Sequence, residues 1–230
     1  MLSLERIRLP RKVYKFMEPQ YLKKLEETKE IFIRPLSNYN EKELGSERGD
    51  NNEGVLNTEL KLTSTYTFGS KENPEFEGAF NALTQGVFSI ADGVSITGDG
   101  AKFVTKFTRR NFYNYSLCLE YDEKVKKEFG GATLVIDDFP KFLVHLNLKM
   151  YKQGTDLAIA QKCKYIKDRK NSFTEKSDNF NLDFPPFVKD ERYEYQKEFR
   201  LLWRNRDGTD ISKPLLVYSP ESLQYCTFEY

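Results

Sequence analysis

The segment YEYQKEFRLLW, residues 193–203, decides how this chain of 230 residues is interpreted. Successive side chains of a β-strand point to opposite faces, so a strand here places four polar side chains on one face: Glu194, Gln196, Glu198 and Arg200. The apolar run that begins at Phe199 is typical of a central strand, in which desolvated polar groups must find partners. Partly buried carboxylates in such a position are candidates for a functional site.

A structural explanation of the same segment remains open. An antiparallel sheet can expose one face to water, and Glu194, Glu198 and Arg200 would then form cross-strand ion pairs that add little stability. The rest of the chain is needed to choose between an exposed face and a site.

Outward from this segment, the pattern predicts one α+β domain over residues 1–230. Residues 12–36 indicate strand, helix and strand, with Pro19 at the start of the helix. The dipeptide Asp92-Gly93 favours an antiparallel turn, and Asp207-Gly208 predicts a hairpin between residues 193–203 and 211–218. The polar stretches 37–56 and 167–192 are predicted to be long loops.

Composition excludes several classes of function. With 36 basic and 35 acidic residues the net charge is +1, so any contact with nucleic acid must be local. Three cysteines without CxxC spacing indicate a reducing compartment, and no apolar run is long enough for a membrane span, so we expect a cytoplasmic protein. His145 is the only histidine, which argues against a catalytic triad and a histidine-rich metal site.

Several motifs spread along the chain carry a resemblance to a known group. The opening strands Val13–Phe16 and Ile31–Ile33, the pair Gly49-Asp50 and the stretch Gln196-x-Glu198-Phe-Arg resemble an uncharacterised group of bacterial phage-defence proteins. That group is similar to ADP-ribosyltransferases. The resemblance implies a split antiparallel sheet with flanking helices that clamps NAD, and no metal.

The resemblance also implies roles for particular residues. Glu198 would stabilise the positive charge that develops when the bond between nicotinamide and ribose breaks, and Gln196 would orient the acceptor. Five further residues would form the NAD site. Tyr14 or Tyr121 would stack on the nicotinamide ring, and Lys15 and Arg34 would contact the pyrophosphate. Ser116 would position Glu198.

The function that follows from the resemblance is a mono-ADP-ribosyltransferase toxin that modifies a protein or nucleic acid and is restrained by an antitoxin partner. Four basic residues, Lys102, Lys106, Arg109 and Arg110, offer a nucleic-acid contact, although alternation also fits an ordinary hairpin with lysines outside. A catalytically silent interaction module on the same scaffold and a nuclease-like hydrolase are the alternatives.

Overall fold

The structure, a computed structural model, describes residues 9–39, 54–69, 74–83, 92–98, 100–174, 176–177 and 183–230. The helices are α1 (Pro19–Thr28), α2 (Pro74–Leu83), α3 (Glu123–Glu128), α4 (Phe139–Lys152) and α5 (Pro220–Leu223). The strands are β1 (Val13–Met17), β2 (Glu30–Pro35), β3 (Val55–Leu62), β4 (Thr65–Thr67), β5 (Ser95–Thr97), β6 (Ala101–Thr108), β7 (Tyr113–Cys118), β8 (Ala132–Ile136), β9 (Thr155–Lys162), β10 (Lys164–Ile166), β11 (Lys170–Thr174), β12 (Val188–Asp190), β13 (Glu198–Asn205), β14 (Leu215–Tyr218) and β15 (Cys226–Glu229). The protein is thus mixed α+β with mostly antiparallel sheets, as the sequence predicts.

The main sheet has eight strands and is organised around β7. Six strands follow the order β14-β2-β7-β1-β8-β15. The other two are β13, which pairs with β7, and β9, which pairs with β13. Strands β1 and β2 both run antiparallel to β7, so they are parallel to each other, and α1 connects them. A parallel pair needs such a crossover, which explains the strand, helix and strand predicted at residues 12–36.

The sheet splits where β1 and β2 leave β7. β1 pairs with β7 only at Tyr14 opposite Cys118 and continues along β8. β2 pairs with β7 only at Arg34 and Pro35 and continues along β14. Among the described strands, none pairs with residues 115–117 on this side of β7, so the two parallel strands splay apart and leave a cleft between them.

The main hydrophobic core lies on one face of this sheet. Side chains of β13 alternate, and Phe199, Leu201 and Trp203 point into this core together with apolar residues of α1 and α4. Helix α4 begins where Asp138 accepts a hydrogen bond from the backbone N–H of Lys141, so this carboxylate acts as a cap.

A second, smaller core lies under a different sheet. Strands β11-β3-β6 form a three-stranded sheet, and β4 and β5 form a two-stranded one. Helix α2 contributes Phe76 and Phe80 to a cluster with Leu60, Tyr66 and Phe68. This cluster is distinct from the core under the main sheet.

Three sequence predictions were wrong. Of the strand predicted at residues 193–203, only 198–203 lie in a strand, β13. Residues 191–196 form a 3-10 helix, because packing of the buried Tyr193 and Gln196 overrides the alternating pattern, and the left-handed backbone of Lys197 (φ 42°) ends this helix before β13. The expected hairpin is absent from the described residues, since β14 pairs with β2. The stretch 167–192 contains β11 and β12 and is not one long loop.

Other predictions fall partly or wholly outside the described residues. Residues 40–53 of the predicted first loop, with Gly49-Asp50, belong to this group. Within the described part of the chain, no helix is both long and apolar enough to cross a bilayer.

Candidate functional site

One face of β13 and β7 carries most of the predicted site. Glu198 lies opposite Cys118, and Tyr14 of β1 lies opposite the same Cys118, so all three side chains share a face. Arg200 lies opposite Ser116 on that face. This face is turned away from the main core.

Glu198 is the centre of a buried ion cluster. Its Oε2 accepts a hydrogen bond from Lys189 Nζ at 2.7 Å, and its Oε1 accepts one from Arg200 Nε at 2.7 Å. Lys189 also donates to Gln196 Oε1 at 2.7 Å, and Arg200 donates to the carbonyl oxygen of Pro186. Glu198 is only 6% exposed and Arg200 2%, so these interactions are made away from water.

The cluster keeps the carboxylate ionised. Burial would raise the pKa of Glu198, but the opposite charges and hydrogen bonds of Arg200 and Lys189 outweigh burial and hold that pKa well below its usual range. Burial raises the pKa of the neighbouring Cys118 thiol to about 12, so this thiol is protonated at neutral pH. Glu198 therefore supplies a fixed negative charge, while burial keeps the Cys118 thiol in its protonated, less reactive form.

Lys15 lies on the opposite side of β1 from Tyr14. Its Nζ donates to the backbone oxygen of Ser116 at 2.9 Å and lies 4.3 Å from the centre of the Tyr115 ring, on the core face. Burial lowers the pKa of Lys15 to about 8. The ammonium thus lies beside the split in the sheet, where it donates a hydrogen bond to a carbonyl in the stretch of β7 that neither β1 nor β2 pairs.

A pocket of about 480 Å³ occupies the cleft between β1, α1 and β2. Three cationic and two acidic side chains line it: Lys15, Lys24, Arg34, Glu18 and Glu30. Aromatic walls come from residues that include Tyr39, Tyr115 and Phe129. Concave, largely apolar pockets with a few convergent charges are the usual form of small-molecule sites.

Arg34 reaches this pocket from the other face of the sheet. It lies opposite Asn114, which shares a face with Ser116, and its guanidinium lies 5.4 Å from the centre of the Phe32 ring. The pocket therefore passes through the split, with Lys15 on one side of the sheet and Arg34 on the other.

The remaining predicted residues occupy different surroundings. Tyr14 and Tyr121 form an edge-to-face pair with ring centres 5.6 Å apart. Ser116 Oγ accepts a hydrogen bond from Asn114 Nδ2 at 2.9 Å. The predicted role of Ser116 in holding Glu198 is filled in the described residues by Lys189 and Arg200. Among the first-strand residues it is Tyr14, and not Lys15, that shares the face of Glu198.

Sequence reasoning missed Lys189, because it lies in a stretch predicted to be a loop. The available signal was its place directly after the apolar residues Phe187 and Val188.

No family model, curated protein or solved structure matches this chain. Within the described ranges, no group of three His, Cys, Asp or Glu side chains is arranged to hold a metal ion. Function is therefore inferred from the chemistry of the cleft and of the ion cluster beside it.

Proposed function

We propose that the protein binds NAD in the cleft between β1 and β2 and transfers its ADP-ribose to a macromolecular acceptor. The observation that carries the proposal is that Lys15 and Arg34, on the two strands that splay apart, line one pocket. Two cations that line a pocket with aromatic walls, one from each side of the sheet, suit a pyrophosphate joined to flat rings.

Glu198 lies one strand away from this cleft, across β7. In the reaction the bond between ribose and nicotinamide breaks, its electron pair leaves with the nicotinamide, and the ribose carbon gains positive charge. The ionised carboxylate of Glu198 would stabilise that charge before the acceptor bonds to the carbon and loses its proton. Gln196, held beside it by Lys189, would orient the acceptor.

The ion cluster sets a condition on this mechanism. Both oxygens of Glu198 accept hydrogen bonds from Lys189 or Arg200, so at least one cation must move aside when the ribose approaches. Lys189 is the one able to move, because it lies in β12, a three-residue strand paired only with the equally short β10 among the described strands. Arg200 belongs to β13, which pairs with strands on both sides.

Incubation with labelled NAD tests the proposal. Wild type should bind and consume NAD, and Lys15→Met and Arg34→Gln should lose binding. Glu198→Gln, assayed below its own melting temperature, should bind NAD without consuming it. Arg204→Gln is the matched control, because Arg204 is an exposed arginine at the far end of β13. Absence of NAD binding by a folded wild-type protein would refute the proposal.

The resemblance to phage-defence proteins adds a cellular test. Expression of wild type without an antitoxin partner should arrest growth, since each turnover adds a covalent modification. Glu198→Gln at an equal protein level should relieve the arrest. Equal growth with both proteins, in a host without an inhibitory partner, would count against a toxin.

A catalytically silent interaction module is the second candidate. Two observations favour it. Lys189 and Arg200 already pair with the carboxylate of Glu198, and Lys15 lies on the face of the sheet opposite to Glu198. A silent module predicts that NAD is not consumed by wild type, and that Lys15→Met and Glu198→Gln leave cell growth unchanged.

A further inference from the structure

The open face of the three-stranded sheet β11-β3-β6 carries a regular array of lysines. The inner face packs Phe103, Leu60 and Phe173 into the second core, so the alternate residues point outward. In the register, Lys106 and Lys170 flank Asn57 in one row, and Lys102 lies beside Lys61 in another. The predicted alternation of lysines outside and Phe103 inside is found on β6, but this strand pairs with β3 and does not form the expected hairpin in the described residues.

A buried carboxylate organises two of these lysines. Glu59 lies between the two rows and is 4% exposed. Its carboxylate forms ion pairs with Lys170 Nζ at 2.6 Å and with Lys61 Nζ at 3.1 Å. The hydrogen bond from Lys170, with that from Lys61, lowers the pKa of Glu59 to about 2. One negative charge thus fixes two cations, while Lys102 and Lys106 remain exposed.

The spacing of the array matches a phosphodiester backbone. Four residues of a strand separate the two rows along β6, which corresponds to about 13 Å, and the outer strands are about 10 Å apart. The major groove of a duplex, about 12 Å wide, sets phosphates of the two strands at a comparable separation. The exposed aliphatic Val104 between the rows offers no hydrogen bond to a base edge. We propose that this lysine face, formed by Lys61, Lys102, Lys106 and Lys170, binds nucleic acid through its phosphates and without sequence preference.

Salt dependence of binding is the direct test. A 20-nucleotide single strand and a 20-base-pair duplex are titrated without NAD, so failure here leaves the proposed NAD activity untouched. If the four lysines contact phosphates, the slope of log K against log salt should be about −3 for the single strand or about −3.5 for the duplex. The two probes distinguish which form of nucleic acid is bound.

The variant Lys102→Gln with Lys106→Gln should weaken binding about 100-fold at 50 mM salt and make the slope shallower by about 1.5. These two lysines are chosen because replacing Lys61 or Lys170 would remove one of the two cations that pair with the buried Glu59. The matched control is Lys152→Gln with Lys213→Gln, which removes two exposed lysines elsewhere and should leave binding unchanged. Thermal melting of both variants verifies that they are folded.

Three outcomes would overturn the proposal: no binding to either nucleic acid, an equal loss in the control variant, or binding of poly-glutamate as tight as that of nucleic acid. If neither nucleic acid binds, the role left for Lys102 and Lys106 is to keep β6, an edge strand of the described sheet, from pairing with other chains. The last would identify an acidic protein as the partner.

Discussion

Replacement of Glu198 by glutamine should destabilise the protein strongly, before any effect on catalysis. The change leaves Lys189 and Arg200 as buried cations without their carboxylate, and breaking a buried ion pair from one side costs about 3–5 kcal/mol. For a chain of this size that corresponds to a fall in melting temperature of about 6–20 °C. Glutamine retains one acceptor oxygen, which favours the lower end of the range.

Urea unfolding and thermal melting measure this cost, with Glu194→Gln as the matched control. Glu194 is exposed and its carboxylate lies 3.8 Å from Lys197, so its replacement should change the free energy of unfolding by less than about 0.5 kcal/mol. Adding Lys189→Met to Glu198→Gln should restore part of the loss, because one unpaired buried charge is removed. A cost for Glu198→Gln no larger than that for Glu194→Gln would refute the reasoning.

The same cluster predicts a pH dependence. The folded pKa of Glu198 lies below that of an unfolded glutamate, about 4.3. Its stabilising contribution is therefore complete above that pH and is lost as the pH falls toward the lower folded pKa. The difference in stability between wild type and Glu198→Gln should accordingly shrink below about pH 4. A difference that stays constant down to pH 2 would contradict this linkage.

Three further predictions concern other parts of the fold. Lys15→Met should raise the melting temperature at pH 7 more than at pH 10. Burial lowers the pKa of Lys15 to about 8 in the folded protein, so the protonated side chain opposes folding at pH 7. An equal rise at both pH values would contradict this. Gly130→Ala should destabilise more than Gly131→Ala, since both have positive φ but only at Gly130 would a Cβ lie 2.7 Å from the Cα of Glu18; equal melting temperatures would exclude the clash. Asp122→Ala should cost about 1 kcal/mol in urea unfolding by removing the cap of α3, and no loss would show that this cap adds nothing.

The sequence predicts Glu198 as a candidate because a carboxylate beside Phe199 and the following apolar residues must be desolvated. It does not predict the partner Lys189, because that contact depends on how the 3-10 helix at residues 191–196 folds back on the sheet. The alternating pattern of residues 193–197 fits a strand, yet tertiary contacts of Tyr193 and Gln196, both buried, override it.

The opening strand shows a second limit. Sequence spacing places Tyr14 and Lys15 together, but only the register with Cys118 reveals that Tyr14 shares the face of Glu198. A one-residue change in register reverses which of the two faces the carboxylate. The strand, helix and strand of residues 12–36 were predictable because a proline at the start of α1 and local apolar spacing are enough to specify them.

The separate core under β11-β3-β6 has a consequence for amide hydrogen exchange. The two clusters share no residue in the described part of the chain, so we expect the strands of the smaller one to open without disrupting β7 and β13. Amides of β3 and β6 should then exchange through a subglobal opening of lower free energy, while amides of β7 exchange only on global unfolding. The protein would have two tiers of protection, and the lysine face would belong to the less protected one.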